Sequence, residues 1–205
     1  MNLNLKGKKA LVSGGSSGIG LAIKQALENE GVEVISWSRS EGVDLMKITP
    51  EFLRKFPDVD FLINNVGGIG SDPSEWKLAM EKNYNIMVEL TNAYLMKKPN
   101  FGRVITIASM YGKEKGPSPG FTAANSAQIA YMKSLAGTIN GITFNTIAPG
   151  YIHTKPEIWR YAKEVNAPIG EPEDVANIVT FLCSDKAKHL NGSLITVDGG
   201  FTHSF

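Results

Sequence analysis

Residues 9–20, KALVSGGSSGIG, constrain the fold of this chain more than any other stretch. Ala10, Leu11 and Val12 form a short apolar run that reads as a buried strand, and a glycine-rich turn ends it. Ile19, Ala22, Ile23, Ala26 and Leu27 then recur at helical spacing until Gly31 stops the pattern. Strand, glycine turn and helix in succession is how a doubly wound sheet offers backbone N–H groups to a dinucleotide pyrophosphate. Gly14-x3-Gly18-x-Gly20, preceded by Ser13 and enclosing Ser16, Ser17 and Ile19, is therefore a candidate cofactor cradle. The spacing is not the commoner GxGxxG, and a glycine turn of this kind also serves purely structural ends.

A chain of 205 residues suffices for one domain with a sizeable core, so one domain over 1–205 is expected. Lys and Arg are scattered among Asp and Glu to a net charge of +1, which argues against a nucleic-acid footprint or a basic membrane-facing helix. The single cysteine, Cys183, cannot form an internal disulfide and falls on an amphipathic helical pattern, where an inert buried thiol is expected. No metal site is expected. The N-terminus lacks the apolar core of a signal peptide, and no apolar run approaches membrane-spanning length, so the expected location is cytoplasmic.

Residues 32–37 read as a second parallel strand, with Ser38, Arg39 and Ser40 at its C-terminal end. In a dinucleotide fold this position meets the adenosine ribose: an acid suits the 2′-hydroxyl of NAD, and Arg suits the 2′-phosphate of NADP. Position 38 is not acidic, and Arg39 stands between two hydroxyls, which favours NADP(H) over NAD(H). A solvated surface Arg is the alternative. Only a short helix, about 50–56, separates this point from the next strand at 60–64, so the crossover is compressed. Asn64 and Asn65 at that strand end suit side chains that tie neighbouring backbone. A long helix over 76–96 carries a core stripe of Trp76, Ala79, Met80, Met87, Leu90 and Tyr94, and Asn83 falls on the same stripe. A buried amide there needs partners, whether for structure or for function. Residues 102–108 form a strand that delivers Ser109 to the edge where ligands bind in open α/β sheets. A helix over 120–137, a strand over 142–147, a helix led by Pro172 and a strand over 194–197 complete the pattern. The expected fold is α/β, a single Rossmann-like doubly wound parallel sheet of six or seven strands with helices on both faces.

These landmarks, in this order, resemble the short-chain dehydrogenase/reductase family over nearly the whole chain. The matching residues are Ser13 with the three glycines, Asn64-Asn65-Val66-Gly67 for the family's NNAG, Asn83, Ser109, Asn145, Pro149-Gly150 with Thr154, and Asp198-Gly199-Gly200. The resemblance implies that Asp44 and Leu45 lie near the adenine, that Asn65, Val66 and Gly67 line the adenosine ribose, and that Ile152 with Thr154 holds the nicotinamide amide. It also implies a carbonyl or carbinol substrate, polarised by Ser109, and a homodimer or homotetramer. Ala130, Met132 and Leu135 are an apolar region suited to such pairing.

The family moves its proton with a Tyr-x-x-x-Lys pair one helical turn apart. Counting from Ser109 and from Leu135-Ala136 places Phe121 at the Tyr position and Asn125 at the Lys position. Phe keeps the ring without a proton to give, and Asn can bond a ribose hydroxyl but carries no charge. Three readings follow. One is an oxidoreductase with an altered relay, in which Tyr111, or a water held by Asn83 and Ser109, supplies the proton. The others are an inactive or regulatory NADP(H)-binding protein and a non-redox epimerase or dehydratase. The segment 155–167, with Trp159 and Tyr161, is short for a substrate lid; its aromatics either stack on a ligand or pack a small helix.

Overall fold

A computed structural model describes residues 2–68, 73–97 and 99–203. Its first strands are β1 (Lys9–Ser13), β2 (Glu33–Trp37), β3 (Phe61–Asn64), β4 (Gly102–Ile107) and β5 (Ile142–Pro149). Two short segments, β6 (Tyr151–Ile152) and β7 (Ile169–Gly170), pair only with each other, and β8 (Leu194–Val197) closes the series. The main sheet has six strands in the order β2-β1-β3-β4-β5-β8, all parallel, within the expected range. Period-2 alternation sends each strand's side chains to opposite faces. Ala10, Val12, Phe61 and Ile63 pack beneath helices α1 (Gly18–Asn29) and α7 (Pro172–Cys183), the latter preceded by the short α6 (Pro156–Glu164). Leu11, Leu62, Val104 and Phe144 face α2 (Pro50–Arg54), α4 (Ile86–Met96) and α5 (Pro119–Leu135).

The compressed crossover between β2 and β3 determines the strand order. Residues 38–60 supply two single-turn 3-10 helices and α2 but no strand, so β3 pairs directly with β1 and β2 becomes the sheet edge. The order therefore begins 2-1-3-4-5, and its direction reverses between β1 and β3. Ligands of open α/β sheets bind at the carboxyl ends of strands beside such a reversal. Here those ends are Ser13–Gly14 and Asn64–Asn65.

Two expectations need correction. The helix over 76–96 is not continuous: α3 (Trp76–Ala79) passes into a π-helical turn, Met80–Asn85, before α4 begins. An inserted π residue rotates what precedes it by about 100° relative to the stripe that follows. Ala79, Met87, Leu90 and Tyr94 are buried, but Trp76 is 54% exposed. The Trp76 backbone rests on α5, where a Cβ on Gly120 would lie 2.7 Å from its Cα, and this turns the indole outward. Met132, expected on a pairing surface, is instead 1% exposed. It continues the buried ridge Gly120, Ala124, Gln128 along α5, leaving only Ala130 exposed and Leu135 half-buried.

Phe144, fully buried in the middle of β5, tests this core. Phe144→Ala is expected to lower stability by about 3–5 kcal/mol. The urea midpoint should fall while the m-value stays constant.

Candidate functional site

The turn after β1 is locked to the end of β3 by reciprocal bonds. Ser13 Oγ accepts from the backbone N–H groups of Asn65 (2.9 Å) and Val66 (3.1 Å) and itself lies 3.4 Å from the Ile63 carbonyl. Asn65 Nδ2 donates back to the carbonyls of Ser13 (3.0 Å) and Gly14 (3.2 Å). Of the adjacent asparagines, Asn65 therefore ties backbone as expected, whereas Asn64 Nδ2 donates to the side chain of Thr91 (3.1 Å).

Glycine is obligatory in this turn because of what presses on it. Gly14 has φ +73°, and a Cβ on it would sit 3.1 Å from both Asn65 Nδ2 and Val66 Cγ2. A Cβ on Gly20 would lie 2.1 Å from the Gly14 carbonyl oxygen. At Gly18 a Cβ would reach Thr154 Cγ2 at 3.0 Å, so the segment after β5 leans over the same turn. Ser17, the N-cap of α1, makes no side-chain cap bond, whereas Thr49 and Ser118 cap α2 and α5. The first-turn N–H groups of α1 thus face the cradle formed by Gly14, Ser16, Ser17, Gly18, Ile19 and Gly20. A pyrophosphate fits such a donor set.

Asn83, 3% exposed within the π-turn, is saturated by backbone. Its Oδ1 accepts from Gly68 N (2.9 Å), and its Nδ2 donates to the carbonyls of Gly68 (3.1 Å) and Ala79 (2.8 Å). Gln128 Nε2 on α5 donates to the Asn83 carbonyl (2.7 Å), a link between residues 45 positions apart. The Asn83 amide therefore braces the loop that leaves β3.

At the end of β4, Ser109 caps a 3-10 turn, Met110–Gly112, with its Oγ accepting from Tyr111 N (3.2 Å). Strand geometry ends at Ile107, so this turn, and not strand alternation, sets the direction of Tyr111. The turn is pressed against α5: Ser126 Oγ donates to the Gly112 carbonyl (2.8 Å), and a Cβ on Gly112 would lie 3.1 Å from the Asn125 carbonyl oxygen. The Tyr111 ring thereby meets Phe121 edge-on, with centroids 6.5 Å apart. Asn125 Nδ2 donates to the Phe121 carbonyl one turn earlier (2.8 Å).

Tyr111 also shares a hydroxyl–hydroxyl hydrogen bond with Tyr151, a residue sequence reasoning missed. Its only signal was its place after Pro149-Gly150. The Tyr151 ring lies 5.9 Å from Tyr161 and 5.7 Å from Phe201, so Tyr161 packs against the body as well as being half-exposed. Burial, with the Tyr151 hydroxyl adding to it, holds the Tyr111 phenol well above its ordinary range. Burial likewise raises Tyr151, although its hydrogen bond with Tyr111 opposes this.

The remaining expected positions divide. Gly150 N donates to the Val197 carbonyl (2.9 Å), and Ile152 is buried, which seats residues 149–154 beside β8. Ser38 is buried at the end of β2, and Arg39 and Ser40 are exposed beside it. Asp44 caps its own 3-10 turn by accepting from Met46 N (3.1 Å), and Leu45 packs in the core with Trp37 and Phe56. Among the described residues, no cluster of three or more His, Cys, Asp or Glu forms a metal site, and no helix is long and apolar enough to cross a membrane. Cys183 is buried, and burial pushes its thiol far up.

A crevice at the strand-order reversal, beside a turn whose Gly14, Gly18 and Gly20 admit no side chain, defines a nucleotide-binding α/β protein. A family model described as enoyl-(acyl carrier protein) reductase matches residues 43–202. The 3-oxoacyl-(acyl-carrier-protein) reductase FabG of Vibrio cholerae is 32% identical over 240 aligned positions, covering 97% of this chain and 98% of that one. Acetoacetyl-CoA reductase of Shinella zoogloeoides is 31% identical, covering 93% and 97%. Among solved structures, a protein assigned as a 2-deoxy-D-gluconate 3-dehydrogenase from Agrobacterium tumefaciens, with bound NADP, superposes with a TM-score of 0.86 at 30% identity over 98% of both chains. A protein assigned as an NAD(P) dependent gluconate 5-dehydrogenase from Beutenbergia cavernae, with NADP at low occupancy, gives 0.86 at 26% identity over 98% and 99%. The chain belongs to the short-chain dehydrogenase/reductase family.

Removing the Ser13 hydroxyl leaves two backbone N–H groups without their acceptor. Ser13→Ala is expected to cost about 1–3 kcal/mol in a denaturant melt.

Proposed function

We propose that this protein is an NADP(H)-dependent oxidoreductase acting on a small carbonyl or alcohol substrate, with a proton relay that departs from its family's. The observation that carries the reading is the glycine cradle overlaid by Asn65, Val66 and Thr154. Supporting the choice of cofactor are the two neighbours solved with NADP and the hydroxyls that flank Arg39. In this reading the α1 N-terminus holds the pyrophosphate, and Ser38, Arg39 and Ser40 meet the 2′-phosphate. Asn65, Val66 and Gly67 meet the adenosine ribose, and Pro149, Gly150, Ile152 and Thr154 meet the nicotinamide. Asn125 offers its amide oxygen to a ribose hydroxyl. The bound nicotinamide supplies hydride at its C4.

The chain supplies the rest. Ser109 polarises the substrate oxygen. With Phe121 lacking a hydroxyl, Tyr111 donates the proton, and the hydrogen bond to Tyr151 orients its phenol. The Asn83 amide is already committed to Gly68 and Ala79, which weighs against a water relay through it. Because its acidity is depressed, Tyr111 stays protonated across the neutral range. It also lacks the neighbouring ammonium that makes the family's phenol a stronger acid, so slow turnover is expected.

The alternative is an NADP(H)-binding protein without turnover, favoured by the Asn125 amide folded back on the Phe121 carbonyl. Calorimetry with NADPH followed by a carbonyl panel separates the two: binding without oxidation establishes the alternative. In the first reading Tyr111→Phe loses about 10²-fold or more in rate. Reduction by the parent stays flat between about pH 6 and 9, below the ordinary phenol range. If Tyr111→Phe turns over as fast as the parent, the Tyr111 relay is wrong.

A further inference from the structure

Glu41, two residues past Arg39, places an anion where the end of β2 meets the glycine turn. Its Oε2 accepts from Ser36 Oγ (2.5 Å) and Ser38 Oγ (2.5 Å), and its Oε1 lies 3.3 Å from Lys24 Nζ on α1. Ser38, only 6% exposed, is also 3.2 Å from Ser40 Oγ. The nest abuts the cradle, because a Cβ on Gly15 would lie 2.5 Å from Ser36 Oγ and Gly14 N donates to the Trp37 carbonyl (2.8 Å). The two serine hydroxyls, which donate to it, hold the Glu41 carboxyl below its usual range, so it is an anion at neutral pH.

The turn does not need this carboxylate for closure. Backbone bonds already close it, from Glu41 N (3.0 Å) and Val43 N (2.9 Å) to the Ser38 carbonyl and from Gly42 N (3.2 Å) to the Arg39 carbonyl. Three donors from α1, β2 and the loop nevertheless converge on one exposed side chain. Two hydroxyls and an ammonium around a single anion is also a phosphate-binding arrangement.

We infer that Glu41 is a built-in competitor for the 2′-phosphate of the dinucleotide: its carboxylate occupies the donors of Ser36, Ser38 and Lys24 until the phosphate displaces it. The inference rests on the NADP(H) reading above and extends it to how the preference for the phosphorylated cofactor is set. A phosphate brings more charge and more acceptor oxygens than a carboxylate, so it wins the nest. The displaced carboxylate then stays beside it as a like charge, and apparent affinity is reduced by the fraction of molecules in which the nest is closed. Glu41 thus narrows the gap between NADPH and NADH.

Calorimetric titration of the parent, Glu41→Gln and Glu41→Ala with NADPH and NADH tests this. Both substitutions are in an exposed turn, and circular dichroism melts check the fold. The expected result is NADPH binding about tenfold tighter in both variants, with NADH changed less than about twofold. Ser38→Ala should weaken NADPH and leave NADH unchanged. Unchanged or weaker NADPH binding by both Glu41 variants overturns the inference while the cofactor reading stands. Loss of NADH affinity with NADPH unaffected also overturns it, since Glu41 would then be an acceptor for a ribose hydroxyl. If the parent and all variants bind neither dinucleotide, the cofactor reading fails and this inference fails with it.

Discussion

The architecture of the site depends on one exchange of hydrogen bonds between Ser13 and Asn65. These residues end two neighbouring parallel strands, where the sheet stops supplying partners for their backbone. The Ser13 hydroxyl takes up two N–H groups of the β3 loop, and the Asn65 amide takes up two carbonyls of the glycine turn. Ser13 is 1% exposed, so water cannot replace these bonds. With both loops held, Gly14 and Gly20 have no room for a side chain, and the first-turn N–H groups of α1 remain pointed at the crevice.

A second tier of bracing surrounds this lock. The π-turn places Asn83 against Gly68, and Gln128 from α5 grips the Asn83 carbonyl. The same helix α5 carries Phe121 and Asn125 and supports the turn that presents Tyr111. One helix therefore braces both the Asn83 turn and the turn that carries Tyr111. Phe121 and Asn125 fit this packing: the Phe121 ring meets Tyr111 edge-on, and Asn125 bonds within its own helix.

Much of this was legible in the chain. Strand and helix positions followed from short apolar runs and 3.6-residue patterns, whereas the strand order did not. The failures share a cause. A regular helix puts Trp76 on the core stripe, and a single π-turn changes the face. An apolar residue on a helix does not say which neighbour it buries against, and Met132 is buried within the chain and not at a pairing surface.

Residue type and local spacing were enough for the alternation of strands and helices and for the glycine turn after β1. Only the tertiary structure decided that Tyr111 meets Tyr151 and that Asn65 grips Ser13, pairs 40 and 52 residues apart. Backbone closure and side-chain direction at loop ends depend on which elements pack together, and hydrophobic periodicity carries no information about that.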